Sequence, residues 1–290
     1  MEELKLFNKW PTKDIKFTDK GIEKYISLKP AISPRSQGRL SKHQFYKSQM
    51  NIVERLMNHL QNPGHRGKKH FISNAGEAEV YVVLAKTGRN DISMFLVEKD
   101  TEGLVIGRRE EKLGLRGVPM GELIFEECVI PKENLMGKEG EGLRIAMASL
   151  DKDRIGIGAI GIGIASAALD AAKEFAKKRK QFGQPIANFQ AIQFMIADMS
   201  TEIDAARFLT YRGAYLFDRG ERVTKEASMA KLYSSEMAMR VAINAMQIHG
   251  GYGCTKDYPI ERYLRDAKML TLMVGTSEMQ RIVIARNEMK

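Results

Sequence analysis

Four short runs in this 290-residue sequence carry side chains suited to an anionic, planar ligand. Lys178-Arg179-Lys180-Gln181-Phe182-Gly183 sets a permanently charged guanidinium three residues from an aromatic ring. Such a pair can hold a phosphate beside a planar ring, because Arg offers a rigid fork of donors. Gln190 and Gln193 interrupt an otherwise apolar run. Gln247-Ile248-His249-Gly250-Gly251-Tyr252-Gly253 is a glycine-rich turn whose backbone amides can approach a ligand closely. Gly275-Thr276-Ser277-Glu278 reads as the opening of a helix, where free N–H groups attract anions. Each run also has a plain structural reading, as a surface charge, a buried amide, a C-cap or an N-cap. Spacing alone supports a helical bundle with a phosphate site.

A fifth run is misleading. Gly156-Ile157-Gly158-Ala159-Ile160-Gly161 matches the G-x-G-x-x-G pattern of dinucleotide-binding folds. That motif needs a strand before it, a helix after it and an acid about 20 residues on. Met147–Arg154 reads as helical and Asp170 comes too soon. The small residues more simply let one helix approach its neighbours.

The elements that must position these residues change character along the chain. Val80–Ala85 and Ile92–Val97 read as strands around a Gly-Arg-Asn-Asp turn, and Leu104–Ile106 and Glu122–Phe125 continue a β-rich block to about Pro131. From Gly140 the periodicity is helical. One helix holds Phe189, Ile192, Met195, Ile196, Met199 and Ile203; another runs from about Thr224 to Ile248; the last covers roughly Ser277 to Met289. A β block followed by four or five helices predicts an α+β fold, a partial antiparallel β domain followed by a helical bundle.

Charge divides the chain in the same way. The 46 Lys+Arg and 36 Asp+Glu give a net +10, but residues 1–70 alone carry 15 and 6, leaving 31 and 30 for the remainder. The basic segment contains Trp10, four of the eight Pro and four of the five His. A helix is predicted from about Ser41 to Leu60, and basic residues including Arg66, Lys68 and Lys69 are compatible with phosphate contacts or with a solvated surface. Cys128 and Cys254 are the only cysteines, which argues against a disulfide scaffold and for a reducing compartment. No continuous apolar run long enough for a membrane span is present and the N-terminus lacks signal-peptide character, so a cytoplasmic location is expected.

Two resemblances follow from ordered words. Leu6-Phe7-Asn8-Lys9-Trp10, Tyr25-Ile26-Ser27-Leu28, Asn51–Leu56 and Gly67-Lys68-Lys69 resemble the N-terminal third of archaeal small-subunit ribosomal protein seven, over residues 3–70. Residues 71–290 resemble the C-terminal part of an acyl-CoA dehydrogenase. Phe71-Ile72-Ser73-Asn74, Lys112–Arg116, Gly140-Glu141-Gly142, Arg179–Gly183, Gln190–Gln193, Gln247–Gly251, Arg265-Asp266-Ala267 and Gly275–Glu278 carry that likeness. The chain thus reads as a chimera with a ribosomal-like segment at 1–70, a partial β domain at 71–138 and a four-helix-bundle domain at 139–290.

The second resemblance implies FAD and the oxidation of an acyl-CoA to the trans-2-enoyl-CoA, with α-proton abstraction and transfer of the β-hydride to flavin. It places Phe71, Ile72 and Ser73 against the flavin ring, although the family usually has Trp at the Phe71 position. Arg179, Phe182 and Gln190 match positions that hold FAD. Gln247, Gly250 and Gly251 match the loop receiving it from a neighbouring subunit, and Thr276 and Glu278 match further flavin contacts. Asp151, Arg154 and Gly275 match substrate-side positions. A homotetramer and an electron-transfer flavoprotein as acceptor are also implied.

The resemblance breaks at the general base. Most members place Glu immediately before the Gly-Thr pair, where this chain has Val274. One subset carries its Glu in the Leu-Asp-x-x-Arg word, where this chain has Asp153. Asp153 is therefore a relocated base or a helix-start acid. The family's N-terminal helical domain and first strands, which wall the acyl pocket, are replaced here by the ribosomal-like segment. The expected functions are an impaired dehydrogenase, a flavin- or CoA-binding pseudoenzyme, or an rRNA-binding fragment acting through residues 1–70.

Overall fold

The structure, a computed structural model, describes residues 66–88 and 91–290. The helix predicted from Ser41 and the other features of residues 1–65 lie outside the described residues. Strand β1 (Arg66–Ser73) is followed by β2 (Val80–Lys86), β3 (Ile92–Glu98), β4 (Leu104–Arg109), β5 (Met120–Glu126) and the short β6 (Leu135–Met136). They form two antiparallel three-stranded sheets, ordered β1-β5-β4 and β2-β3-β6. Ile72, Tyr81, Val83, Val97, Leu123 and Phe125 fill the space between them. The β-branched and aromatic residues of β2, β3 and β5 suit this half-buried pleated surface.

The division expected at residue 70 falls inside β1, which runs unbroken from Arg66. Two of the basic residues are tied into the sheets. Lys68 Nζ lies 2.7 Å from Glu122 Oε1, and Lys69 Nζ donates to the Leu84 carbonyl. One extra residue on β1 between Lys69 and Ile72 makes a bulge against β5, with Phe71 at φ 56° and its ring half exposed.

Helices α1 (Gly142–Lys178), α2 (Gln190–Asp218) and α3 (Thr224–His249) form the bundle, and the shorter α4 (Ile260–Leu270) and α5 (Ser277–Glu288) pack on α3. Its core is rich in alanine, with Ala165, Ala168, Ala172, Ala238, Ala242 and Ala245 buried beside Met199, Ile203 and Met237. Small side chains let the helices approach closely. A Cβ at Gly158 would lie 2.9 Å from Thr210 Oγ1, and one at Gly161 would lie 2.9 Å from the Ser234 carbonyl. The G-x-G-x-x-G run is thus the inside of a helix, with no strand before it. α1 alone among the described helices is long and apolar enough to cross a membrane, at a mean hydropathy of 1.7 over 18 residues, half of that stretch being buried within the protein.

Two contacts join the β layer to the bundle. A Cβ at Gly142 would lie 2.5 Å from the Ser93 carbonyl carbon, so the start of α1 rests directly on β3. The loop after β4 docks on α4, where Asp266 Oδ1 accepts the Leu115 amide at 2.6 Å and Arg265 Nη1 donates to the Leu113 carbonyl at 2.9 Å. Between these bonds, a Cβ on Gly114 would lie 2.3 Å from the Arg265 carbonyl oxygen. Gly114→Ala should therefore force the loop off α4 and destabilise the fold by about 1–3 kcal/mol. A urea midpoint equal to that of the parent would show that the loop does not depend on this approach.

Candidate functional site

The predicted site residues fall into two groups at opposite ends of α1. The first surrounds residues 150–157. Leu150, Ile157, Leu270, Met273 and Val274 form one buried apolar cluster, with Leu115 from the docked loop packed against it. Asp153 lies three residues after Leu150 and four before Ile157, so it shares their helix face. Its Oδ2 is buried without a hydrogen bond. Burial pushes this carboxyl up to about 7, against the opposing pull of Lys152 and Arg154.

Its neighbours are committed elsewhere. Arg154 Nη1 donates to Asp151 Oδ1 at 3.0 Å and to Ser228 Oγ at 3.4 Å, and Thr224 Oγ1 donates to Asp151 Oδ2 at 2.7 Å. Asp151 and Arg154 thus tie α1 to α3, both nearly buried, with Arg154 Nε left unpaired. Desolvation lowers the Arg154 pKa, partly countered by Asp151.

The turn between α4 and α5 supplies the other wall. Val274 and Gly275 both have positive φ, at 56° and 88°. Thr276 caps α5, its Oγ1 accepting the Met279 amide at 3.4 Å, as the Gly-Thr-Ser-Glu run predicts. A hydrogen bond to Thr276 lowers the Glu278 pKa, and Glu278 is solvent-exposed. Ile72 and Ser73 are buried nearby in the chain from Asn74, whose amide donates to the Pro119 carbonyl at the base of the docked loop.

The second group sits at the C-terminal end of α1. Lys180–Gln181 pairs with Gln184–Pro185 in a two-residue hairpin, and Phe182 and Gly183 take positive φ of 50° and 80°. Two such residues make a type I′ turn, which explains the glycine and points Phe182 outward. Phe182 is 93% exposed. Arg179 makes no ion pair among the described residues; its guanidinium lies 5.6 Å from the Tyr252 ring centre. Gln190 begins α2 and Gln247 lies in the last turn of α3, and both are exposed. Gly250 has φ 57° and ψ −137°, a conformation suited to glycine. His249 beneath it is buried and stacks on Phe175 at 4.4 Å, with Tyr252 and Tyr258 around them.

Arg179 to Arg154 spans 25 residues of α1, about 37 Å at 1.5 Å per residue. The unpaired guanidinium, the projecting ring and the glycine turn are groups suited to one end of a dinucleotide, and the buried apolar cluster at the other end of the helix carries the unbonded Oδ2 of Asp153 on its face. Sequence reasoning missed Lys231 and Gln280, both fully buried beside the first group. A lone Lys within the Ala-rich run 227–238 was the available signal. Cys128 is half-buried, Cys254 exposed, and both are free.

A two-sheet antiparallel β layer resting on an alanine-cored helical bundle is the frame that carries both groups. The middle-domain profile of acyl-CoA dehydrogenases matches residues 65–128 and the C-terminal-domain profile matches residues 140–289. The chain belongs to the acyl-CoA dehydrogenase family. An acyl-CoA dehydrogenase of Bacillus subtilis is 51% identical over 224 residues, 76% of this chain and 59% of that protein. The butyryl-CoA dehydrogenase structure from Megasphaera elsdenii superposes at a TM-score of 0.77 with 42% identity, covering 78% of this chain and 60% of that one. A structure described as the electron transferring flavoprotein of Acidaminococcus fermentans matches at 0.76 with 47% identity, covering 79% and 62%. The chain thus spans about three-fifths of the length of these relatives.

Asp153 gives this site a measurable signature. Its folded-state pKa stands above the ordinary 3.8, so the folded protein retains a proton that the unfolded chain loses. Stability should fall as pH rises from about 4 to about 7 and be flat above, as far as this group contributes. Asp153→Asn removes that loss. The variant's gain over the parent in urea should be larger near pH 8 than near pH 5. An equal gain at both would show the carboxyl to be ordinarily acidic.

Proposed function

We propose that the protein oxidises an acyl-CoA thioester to the trans-2-enoyl-CoA with FAD, Asp153 serving as the base. The observation that carries this reading is Asp153 Oδ2, buried without a hydrogen bond on the helix face that Asp153 shares with Leu150 and Ile157, two members of the cluster that also holds Val274. A carboxylate in that place takes the α-proton at Oδ2, and a pKa near 7 suits a base at neutral pH. Val274 closes the pocket but cannot accept a proton. Bound FAD supplies the acceptor for the hydride leaving Cβ.

The chain's own residues would bind and orient. Phe71, Ile72, Ser73, Thr276 and Glu278 would flank the ring system. Arg179 would hold a pyrophosphate, with Phe182, Gln190, Gln247, Gly250 and Gly251 around it. Asp151, Arg154 and Gly275 would frame the thioester end. The two groups lie about 37 Å apart along α1. That separation supports a site completed by a second copy of the chain, and hence a homo-oligomer, a tetramer by family likeness. An electron-transfer flavoprotein would reoxidise the flavin, a reading supported by the likeness to the Acidaminococcus structure.

Val274 favours a second reading, a flavin- or CoA-binding pseudoenzyme that holds the ester without turnover. One preparation separates them. Anaerobic addition of a short acyl-CoA should bleach the flavin band, with a rate that rises with pH through about 7. Asp153→Ala should slow the bleaching roughly 10²–10⁴-fold and remove that pH dependence. A flavin band that never bleaches supports the pseudoenzyme, and an unchanged rate in Asp153→Ala ends the case for that base.

A further inference from the structure

Among the described residues with positive φ, Val274 is the one with a β-branched side chain. That conformation is unfavourable for such a residue and persists where the surroundings over-determine it. Gln280, wholly buried on the first turns of α5, supplies the constraint. Its Nε2 donates to the Val274 carbonyl and to the Gly275 carbonyl, both at 3.1 Å. A Cβ at residue 275 would lie 2.8 Å from the same Nε2, so the amide fits against a glycine there. The start of the turn is fixed separately. The Thr271 carbonyl accepts from the Ser277 amide at 3.1 Å and from buried Lys231 Nζ at 3.3 Å.

The left-handed backbone directs the residue-274 side chain into the cluster with Leu150 and Ile157, the face that carries Asp153. An ordinary backbone there would send it elsewhere. We infer that Gln280 is a positioning residue, whose paired hydrogen bonds to the 274 and 275 carbonyls hold the left-handed turn that aims residue 274 at the reacting pocket. This rests on the function proposed above in one respect, the location of that pocket.

The test is a double-mutant cycle read by amide hydrogen exchange on the full chain. Gln280→Met is close in shape and lacks both donors. It should speed exchange at Gly275, Thr276 and Ser277 about tenfold or more, with the α1 amides unchanged. Glycine adopts positive φ without cost. In a Val274→Gly background, Gln280→Met should therefore speed the same amides less than about threefold. Equal acceleration in both backgrounds would overturn the inference, because simple loss of packing predicts it. Should Gln280→Met not fold, Gln280→Asn keeps the amide one methylene short of both carbonyls and runs the same cycle. In flavin-loaded protein that bleaches with acyl-CoA, Gln280→Met should slow bleaching while leaving thioester affinity unchanged; weakened affinity at an unchanged rate would count against positioning. A parent that never bleaches defeats the assigned reaction, and the exchange cycle then decides the role of Gln280 by itself.

Discussion

The rest of the structure depends on the docking of residues 113–116 against α4. The loop reaches the helix through a glycine that leaves no room for a Cβ, and it is fastened by the Asp266 carboxylate and the Arg265 guanidinium. This contact joins the β layer to the bundle. It also delivers Leu115 to the cluster around Leu150, Ile157 and Val274, so the same approach that joins the two layers covers one side of that cluster. Arg265 is held in turn by Glu261 at 2.7 Å, one helical turn earlier. A two-point hydrogen-bonded latch on a close backbone approach suits a site whose parts come from distant segments.

Much of this was legible in the sequence, and the legible part is local. The apolar runs Val80–Ala85 and Ile92–Val97 and the three- and four-residue steps of α2 are readable because each element keeps one kind of environment along itself. The Thr276 cap was readable because capping needs only neighbouring residues. α4 escaped notice: it is short, strongly charged, and identified chiefly by what docks on it. Leu115 and Asp266 are 151 residues apart, and no local pattern signals that they meet. The left-handed turn at Val274 ran against propensity. A valine gives no hint of positive φ, and its constraint comes from a glutamine six residues later.

At the end of the basic segment, a count of charges says nothing of what single side chains do. Lys68 and Lys69 belong by count to the nucleic-acid-like residues 1–70, yet their ammonium groups are engaged by Glu122 and by the Leu84 carbonyl. His70 Nδ1 lies 3.0 Å from that same Glu122 oxygen. Net charge describes a long-range field, whereas these side chains act as short-range pins between strands.

The apolar side chain at 274 and the elevated pKa at Asp153 belong together physically. A carboxyl rises above its ordinary pKa by desolvation or by a like charge nearby. Here desolvation by burial is the leading cause, opposed by Lys152 and Arg154. Arg154 could have kept Asp153 ionised at low pH, but its hydrogen bonds go to Asp151 and Ser228. Glu at 274 would bring a second carboxylate into the same cluster and replace part of that desolvation with repulsion. Val274 adds no carboxylate to that cluster, so desolvation rather than repulsion is what raises the Asp153 pKa.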